Sequence, residues 1–158
     1  MNIALIAHDS RKQELIEWVK YNYSTLLNHT LYATGTTGKL IKNISVETSE
    51  YGQTVDWYMF KDKIISLLSG PLGGDQQVGA MIAEGKIDVL IFFCDNLIQQ
   101  GHQNDVSALS RLASLYNIAF ATNRTTADMI LTSPLFYDNN YHKVIPGCIE
   151  NYKNRDLK

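Results

Sequence analysis

The chain has 158 residues, of which 45% are apolar and 19% charged, with a formal charge of −2. That size suits one domain with its own hydrophobic core, and the near-neutral balance excludes a general attraction to nucleic acid or to an anionic membrane. Cys94 and Cys148 are the only cysteines, so a disulfide framework and a CxxC metal or redox motif are excluded.

In chain order, strands and helices are predicted to alternate. Residues 3–7 (IALIA) form a continuous apolar run, the pattern of a strand covered on both faces. Ser10 and Gln13 match a capping box, and Leu15, Trp18 and Val19 follow at helical spacing. Residues 30–33 read as a second strand, residues 34–38 (TGTTG) as a turn, and Leu40, Ile41 and Ile44 as a helix face. An excursion over about residues 45–63 mixes aromatic and charged residues and reads as a hairpin or an irregular segment. Residues 64–68 read as a strand and residues 69–74 as a glycine-rich loop. Asp75 begins a helix marked by Val78, Met81 and Ile82, with Gly85 as its stop.

Residues 88–94 form the strongest strand pattern, followed by a polar loop over 95–104. Val106, Leu109, Leu112 and Ala113 lie on one helical face. Residues 118–122 read as a strand, 125–131 as a helix, and 143–145 as a last strand before a polar tail. The predicted fold is α/β, a single doubly wound domain spanning 1–158, with a mainly parallel sheet and helices on both faces. The longest unbroken apolar run, residues 89–94, is far below the ~20 residues that span a bilayer. The N-terminal apolar stretch lacks the basic start and the length of a signal peptide. A soluble, cytoplasmic protein is expected.

In such sheets ligands bind beyond the carboxyl ends of the strands. The unusual segments 8–12, 34–38, 69–75 and 95–105 all fall there. The TGTTG turn offers hydroxyls, close backbone approach and helix N-terminal N–H groups, which suit a phosphate. It is not a Walker A loop, because Ala33 stands where the first glycine would be. An ordinary glycine turn with a threonine cap would read the same way. Asp75, at or near a helix N-terminus, is expected to be ionised at neutral pH. It is either a plain cap or a carboxylate able to take a proton.

His8 and His102 follow predicted strands and could donate protons or hold a phosphate, although solvated loop histidines are common. Asp9, Asp95 and Asp105 add carboxylates, and Arg111 follows on a helix as a surface charge or a site-facing cation. No metal-ligand spacing, GxSxG motif or Cys–His neighbour pair appears, so no metal or cofactor is expected. The residues alone suggest a small anionic ligand and a carboxylate–histidine acid/base pair, without choosing a reaction.

The strings IALIAHDSRK (3–12), LYATGTTGKLI (31–41), LSGPLGGDQQVGAMIAEGKIDVLIFFCD (68–95), DVSALSRLA (105–113) with His102, and IAFATNRTTAD (118–128) resemble the methylglyoxal synthase family. The resemblance spans nearly the whole chain outside the excursion and the C-terminal tail. It implies a lyase that converts dihydroxyacetone phosphate to methylglyoxal and inorganic phosphate, a bypass of glycolysis, without metal or cofactor. Asp75 would be the general base and His102 the histidine that polarises the carbonyl and shuttles protons, with Asp95 and Asp105 as supporting carboxylates. His8, Asp9, Lys12, Thr34, Gly35, Thr36, Thr37, Ser69 and Gly70 would contact substrate and phosphate. Arg155 resembles an arginine that binds phosphate across a subunit contact, although the order here is Arg-Asp where the family has Asp-Arg.

The partners implied are a phosphorylated triose, inorganic phosphate as product and candidate inhibitor, and further copies of the chain in a homo-oligomer, commonly a hexamer. Asn96, Gly101, Asn104 and Ala119 stand where the family has prolines, which loosens those loops. The rival expectation is a non-catalytic regulatory module of the same fold that binds nucleotide or phosphate. It resembles the regulatory domain of carbamoyl phosphate synthetase and the cyclohydrolase half of a purine-synthesis enzyme. Retention of both Asp75 and His102, in a chain expected to stand alone, favours the enzyme. A barrel isomerase is excluded by chain length.

Overall fold

In the computed structural model, residues 1–44, 60–97 and 103–155 are described, and five strands form one parallel sheet. These are β1 (Asn2–Ala7), β2 (Thr30–Ala33), β3 (Ile64–Ser66), β4 (Val89–Phe93) and β5 (Ala119–Ala121). Their order across the sheet is β3-β2-β1-β4-β5, every neighbouring pair parallel. The chain therefore winds outward from β1 through β2 and β3, then returns to place β4 on the other side of β1. The winding reverses between β1 and β4, and their carboxyl ends flank the crevice where α/β sheets bind ligands.

Helices cover both faces. They are α1 (Lys12–Tyr21), α2 (Tyr23–Leu26), α3 (Gly35–Lys42), α4 (Gly74–Ala83), α5 (Gln103–Leu115), α6 (Arg124–Thr132), α7 (Pro134–Tyr137) and α8 (Gly147–Lys153). Strand side chains alternate between the faces. Ile3, Leu5, Val89, Ile91 and Phe93 pack with Trp18, Ile41 and Leu131 on one side. Ala4, Ile6, Leu90 and Phe92 pack with Val78, Ile82, Leu109 and Ala113 on the other. Burial on both faces is the reason β1 and β4 read as unbroken apolar runs.

The structure corrects several expectations. The capping box does not form. Asp9–Arg11 is a 3-10 turn, α1 starts at Lys12, and Ser10 Oγ donates to Asp95 Oδ2 at 2.5 Å instead of capping. β3 stops at Ser66, because the next residues turn away to meet the starts of α3 and α4. Part of the glycine-rich loop, Gly70–Leu72, is itself a 3-10 turn. Asp75 is the second residue of α4 and not its cap; Gly73 holds the cap position at φ 99°.

α6 is capped by Asn123, whose side chain accepts from the Thr126 N–H at 3.0 Å, so it begins one residue early. No strand forms over 143–145. Val144 is 75% exposed and has no face to bury, while Lys143 Nζ donates to the Ile87 carbonyl at 3.1 Å. Residues 45–59 of the excursion lie outside the described residues; Phe60, at its end, is fully buried in the core.

Candidate active site

A cleft of about 250 Å³ opens at the carboxyl ends of β1, β2 and β4. Its walls include His8, Asp9, Lys12, Thr34, Thr36, Thr37, Ser69, Gly70, Asp75 and Asp105, with Ile6, Ala7, Pro71 and Phe92 supplying apolar surface. Residues from all four unusual segments, the last represented by Asp105, thus share one space.

One half of the cleft is built from donors. Thr34 caps α3 in extended conformation, and the first-turn N–H groups of Thr36 and Thr37 have no carbonyl one turn behind them. With the helix dipole they favour an anion. Thr37 is 1% exposed, and its Oγ1 has no hydrogen-bond partner among the described residues. Lys12 bonds Asp9 Oδ1 across one turn, with its side chain only 16% exposed.

His8 is 8% exposed and packs edge-on against Phe92, ring centroids 5.1 Å apart. Its Nδ1 accepts from the Asp95 N–H at 2.8 Å. In the neutral ring this hydrogen bond assigns the proton to Nε2, which is buried and has no partner among the described residues. His8 and Thr37 therefore each hold an unsatisfied donor in the cleft. A buried donor left without a partner costs free energy, which an acceptor-rich ligand recovers.

The other half carries carboxylates. Asp75 is 7% exposed. Gly70 lies against it: a Cβ at Gly70 would sit 2.9 Å from Asp75 Oδ2 and would push the carboxylate aside. Asp105, in the first turn of α5, lines the cleft and accepts from Gln76 Nε2 at 3.5 Å.

The remaining candidates stand apart. Gly35 lies behind the cleft with its N–H donating to the Leu68 carbonyl at 2.9 Å. Asp95 backs His8 through its backbone and receives Ser10 through its side chain. Arg155 stacks over the Tyr152 ring at 3.7 Å and does not line the cleft, nor does exposed Arg111. His102 lies outside the described residues. Burial pushes the Cys94 thiol up to about 11 against a lowering effect from Arg11, and the thiol donates to the Phe92 carbonyl. It is held protonated at neutral pH and unsuited to nucleophilic attack. Among the described residues no three His, Cys, Asp or Glu side chains converge as a metal ligand set. None of the described helices is long and apolar enough to cross a membrane.

Ser10 was missed as a partner of Asp95 because S-x-x-Q is a local capping signature, whereas Asp95 is 85 residues away. Gln76 carried no signal beyond its place beside Asp75.

A doubly wound parallel sheet with a donor-lined cleft and a buried carboxylate at its switch point defines the class. The MGS-like domain family matches residues 14–122. A methylglyoxal synthase of Maridesulfovibrio salexigens is 53% identical over 135 residues, covering 85% of each chain. Another, of Coxiella burnetii, is 47% identical over 97% of this chain and 95% of its own length. The crystal structure of a methylglyoxal synthase from Elizabethkingia anophelis superposes with a TM-score of 0.80 at 39% identity, covering 99% of this chain and 92% of the other. The chain belongs to the methylglyoxal synthase family of enzymes.

Proposed function

We propose that the chain is a cytoplasmic lyase that converts dihydroxyacetone phosphate to methylglyoxal and inorganic phosphate. One observation carries this reading. The buried carboxylate of Asp75 shares a cleft with two unsatisfied donors, His8 Nε2 and Thr37 Oγ1, beside the ammonium of Lys12. Such a space suits a substrate that is anionic at one end and carries an acidic C–H at the other.

In this mechanism Asp75 removes a proton from the hydroxymethyl carbon next to the carbonyl, and the carbonyl oxygen takes up the electron pair as an enediolate. Positioned donors stabilise that oxygen, the usual requirement of enolisation. His8 Nε2–H supplies one of them. His102 is assigned the proton shuttle from the family resemblance. Lys12, the threonine hydroxyls and the first-turn N–H groups of α3 hold the phosphate. As the enediolate collapses, the C–O bond to phosphate breaks and its electron pair leaves with the phosphate. The hydroxyl proton of the enediolate leaves with the phosphate as the aldehyde C=O forms, and the enolate left behind takes a proton on carbon and becomes methylglyoxal. No net redox change occurs, since the hydroxymethyl carbon is oxidised to the aldehyde as the phosphate-bearing carbon is reduced to the methyl, and no co-reactant is consumed. Assembly as a homo-oligomer, with Arg155 reaching a neighbouring copy's phosphate, belongs to the same reading.

The test is direct. Purified protein is incubated with dihydroxyacetone phosphate and EDTA, and methylglyoxal and phosphate are both followed. Stoichiometric release of the two is expected. Nucleotide binding without any release would instead assign the chain to the regulatory module.

A further inference from the structure

Residues 68–70 pass between the N-termini of two helices, α3 and α4. The Leu68 carbonyl accepts from the Gly35 N–H at 2.9 Å, and the Ser69 carbonyl accepts from the Gly74 N–H at 3.0 Å. Both approaches require glycine. A Cβ at Gly35 would lie 2.8 Å from Ser69 N, and one at Gly74 would lie 2.0 Å from the Leu68 oxygen. Gly70 then backs the Asp75 carboxylate. One short stretch of backbone therefore touches the start of the threonine turn on one side and the carboxylate on the other.

The contacts at Gly35 and Gly74 are backbone to backbone. The Leu68 N–H differs: it donates at 2.8 Å to Oε1 of Gln77, in the first turns of α4. A backbone N–H needs an acceptor, so the amide oxygen faces Leu68. Gln77 is exposed and does not line the cleft, so it contributes neither core packing nor a direct ligand contact. Its sequence position, two residues after Asp75, puts both side chains on one rigid helix.

We propose that Gln77 is a positioning residue: by holding the Leu68 N–H it sets residues 68–70, and through them aligns the threonine turn with the Asp75 carboxylate. The catalytic part of this proposal rests on Asp75 acting as the base. Loss of the acceptor lets the loop relax, and the donor half and the carboxylate half lose register together.

The test compares Gln77→Met, which keeps length and removes the acceptor, with Gln77→Glu, which restores an acceptor oxygen. For Q77M, kcat is expected to fall about tenfold to a hundredfold, since displacements near 1 Å carry costs of that size. The dissociation constant for inorganic phosphate rises about tenfold, the equivalent of one lost hydrogen bond to a charged group. The melting temperature stays near that of the parent, as for most surface substitutions. Q77E recovers most of both losses. Amide exchange at Leu68 is protected in the parent and Q77E and is fast in Q77M.

Parental kcat and phosphate affinity in Q77M would overturn the proposal, and so would Q77E as impaired as Q77M. An unprotected Leu68 amide in the folded parent overturns it without any variant. Phosphate affinity and exchange need no turnover. If the parent releases no phosphate from the triose, the lyase reading fails while those two measurements still decide whether Gln77 shapes the cleft.

Discussion

The two ends of the sheet each hold a histidine edge-on to a phenylalanine, and they use it in opposite ways. At the carboxyl ends, His8 packs on Phe92 at 5.1 Å with its Nε2 unsatisfied in a cleft of about 250 Å³. At the amino ends, His29 packs on Phe136 at 5.0 Å beside a larger cleft of about 680 Å³, walled by Leu135, Tyr137 and Tyr141. Several polar groups of that larger space have partners. Asp88 accepts from the Asn2 N–H at 2.9 Å, Lys143 donates to the Ile87 carbonyl, and Ser133 Oγ accepts from the Leu135 N–H. Volume alone points to the amino ends, whereas the unsatisfied donors point to the carboxyl ends. Chemistry is expected where buried donors converge without partners, because their cost is recovered only by a ligand.

Asp75→Asn breaks this contrast most sharply. The amide is nearly isosteric and cannot take the proton. Turnover is expected to fall by at least ~10²–10⁴-fold, the usual contribution of a positioned base. Phosphate binding, measured by calorimetry, should remain. A variant that keeps activity within about tenfold would remove Asp75 from the role of base and leave only an anion site at this end.

Gly70→Ala comes next. Its Cβ would meet Asp75 Oδ2 at 2.9 Å, closer than such atoms normally approach, so the carboxylate must swing away. A fall of about a hundredfold in kcat is expected from a shift near 1 Å. Helix content by circular dichroism should be unchanged. Parental kcat would show that the carboxylate has room to yield without penalty.

The architecture was legible because periodicity reports burial. The runs IALIA and VLIFF announced strands covered on both faces, and the alternation of strands with helices announced a doubly wound sheet. Where the cleft lies followed from the rule on strand ends. The supports behind the candidate residues were not legible, since they join residues far apart in sequence. Ser10 looked like a cap because its true partner, Asp95, lies across the switch point. Asp75 looked like a cap because nothing local shows that Gly73 takes the left-handed cap position at φ 99°. Residues 143–145 looked like a strand because β-branched composition does not reveal whether a neighbouring edge is in reach.

Thr37→Val sharpens the contrast by separating stability from binding. The hydroxyl is buried with no partner among the described residues, so replacing it with a methyl removes an unsatisfied polar group. Stability without ligand is expected to rise by ~1 kcal/mol, within the range for such groups, as read by denaturant melts. Affinity for inorganic phosphate should fall about tenfold, one hydrogen bond to a charged acceptor. A loss of stability together with unchanged phosphate affinity would show that the hydroxyl serves the fold and not a ligand.

His29→Gln probes the other end and carries the smallest effect. Burial lowers the His29 pKa below its ordinary 6.5, and the positive charge of the Met1 amine lowers it further. The folded state thus prefers the neutral ring, while the unfolded chain binds a proton more readily. With more protons bound in the unfolded state, stability rises with pH across that window. Lowering the pH through 6.5 therefore costs the parent stability, until the folded-state pKa is passed and both states are charged. Glutamine removes this titration, so melting temperatures from about pH 7.5 to about pH 5 should decline less steeply in the variant. Turnover should stay within about twofold of the parent, as expected for a substitution distant from the reacting groups. A large loss of activity would mean that the two ends communicate, and the division drawn between them would have to be given up.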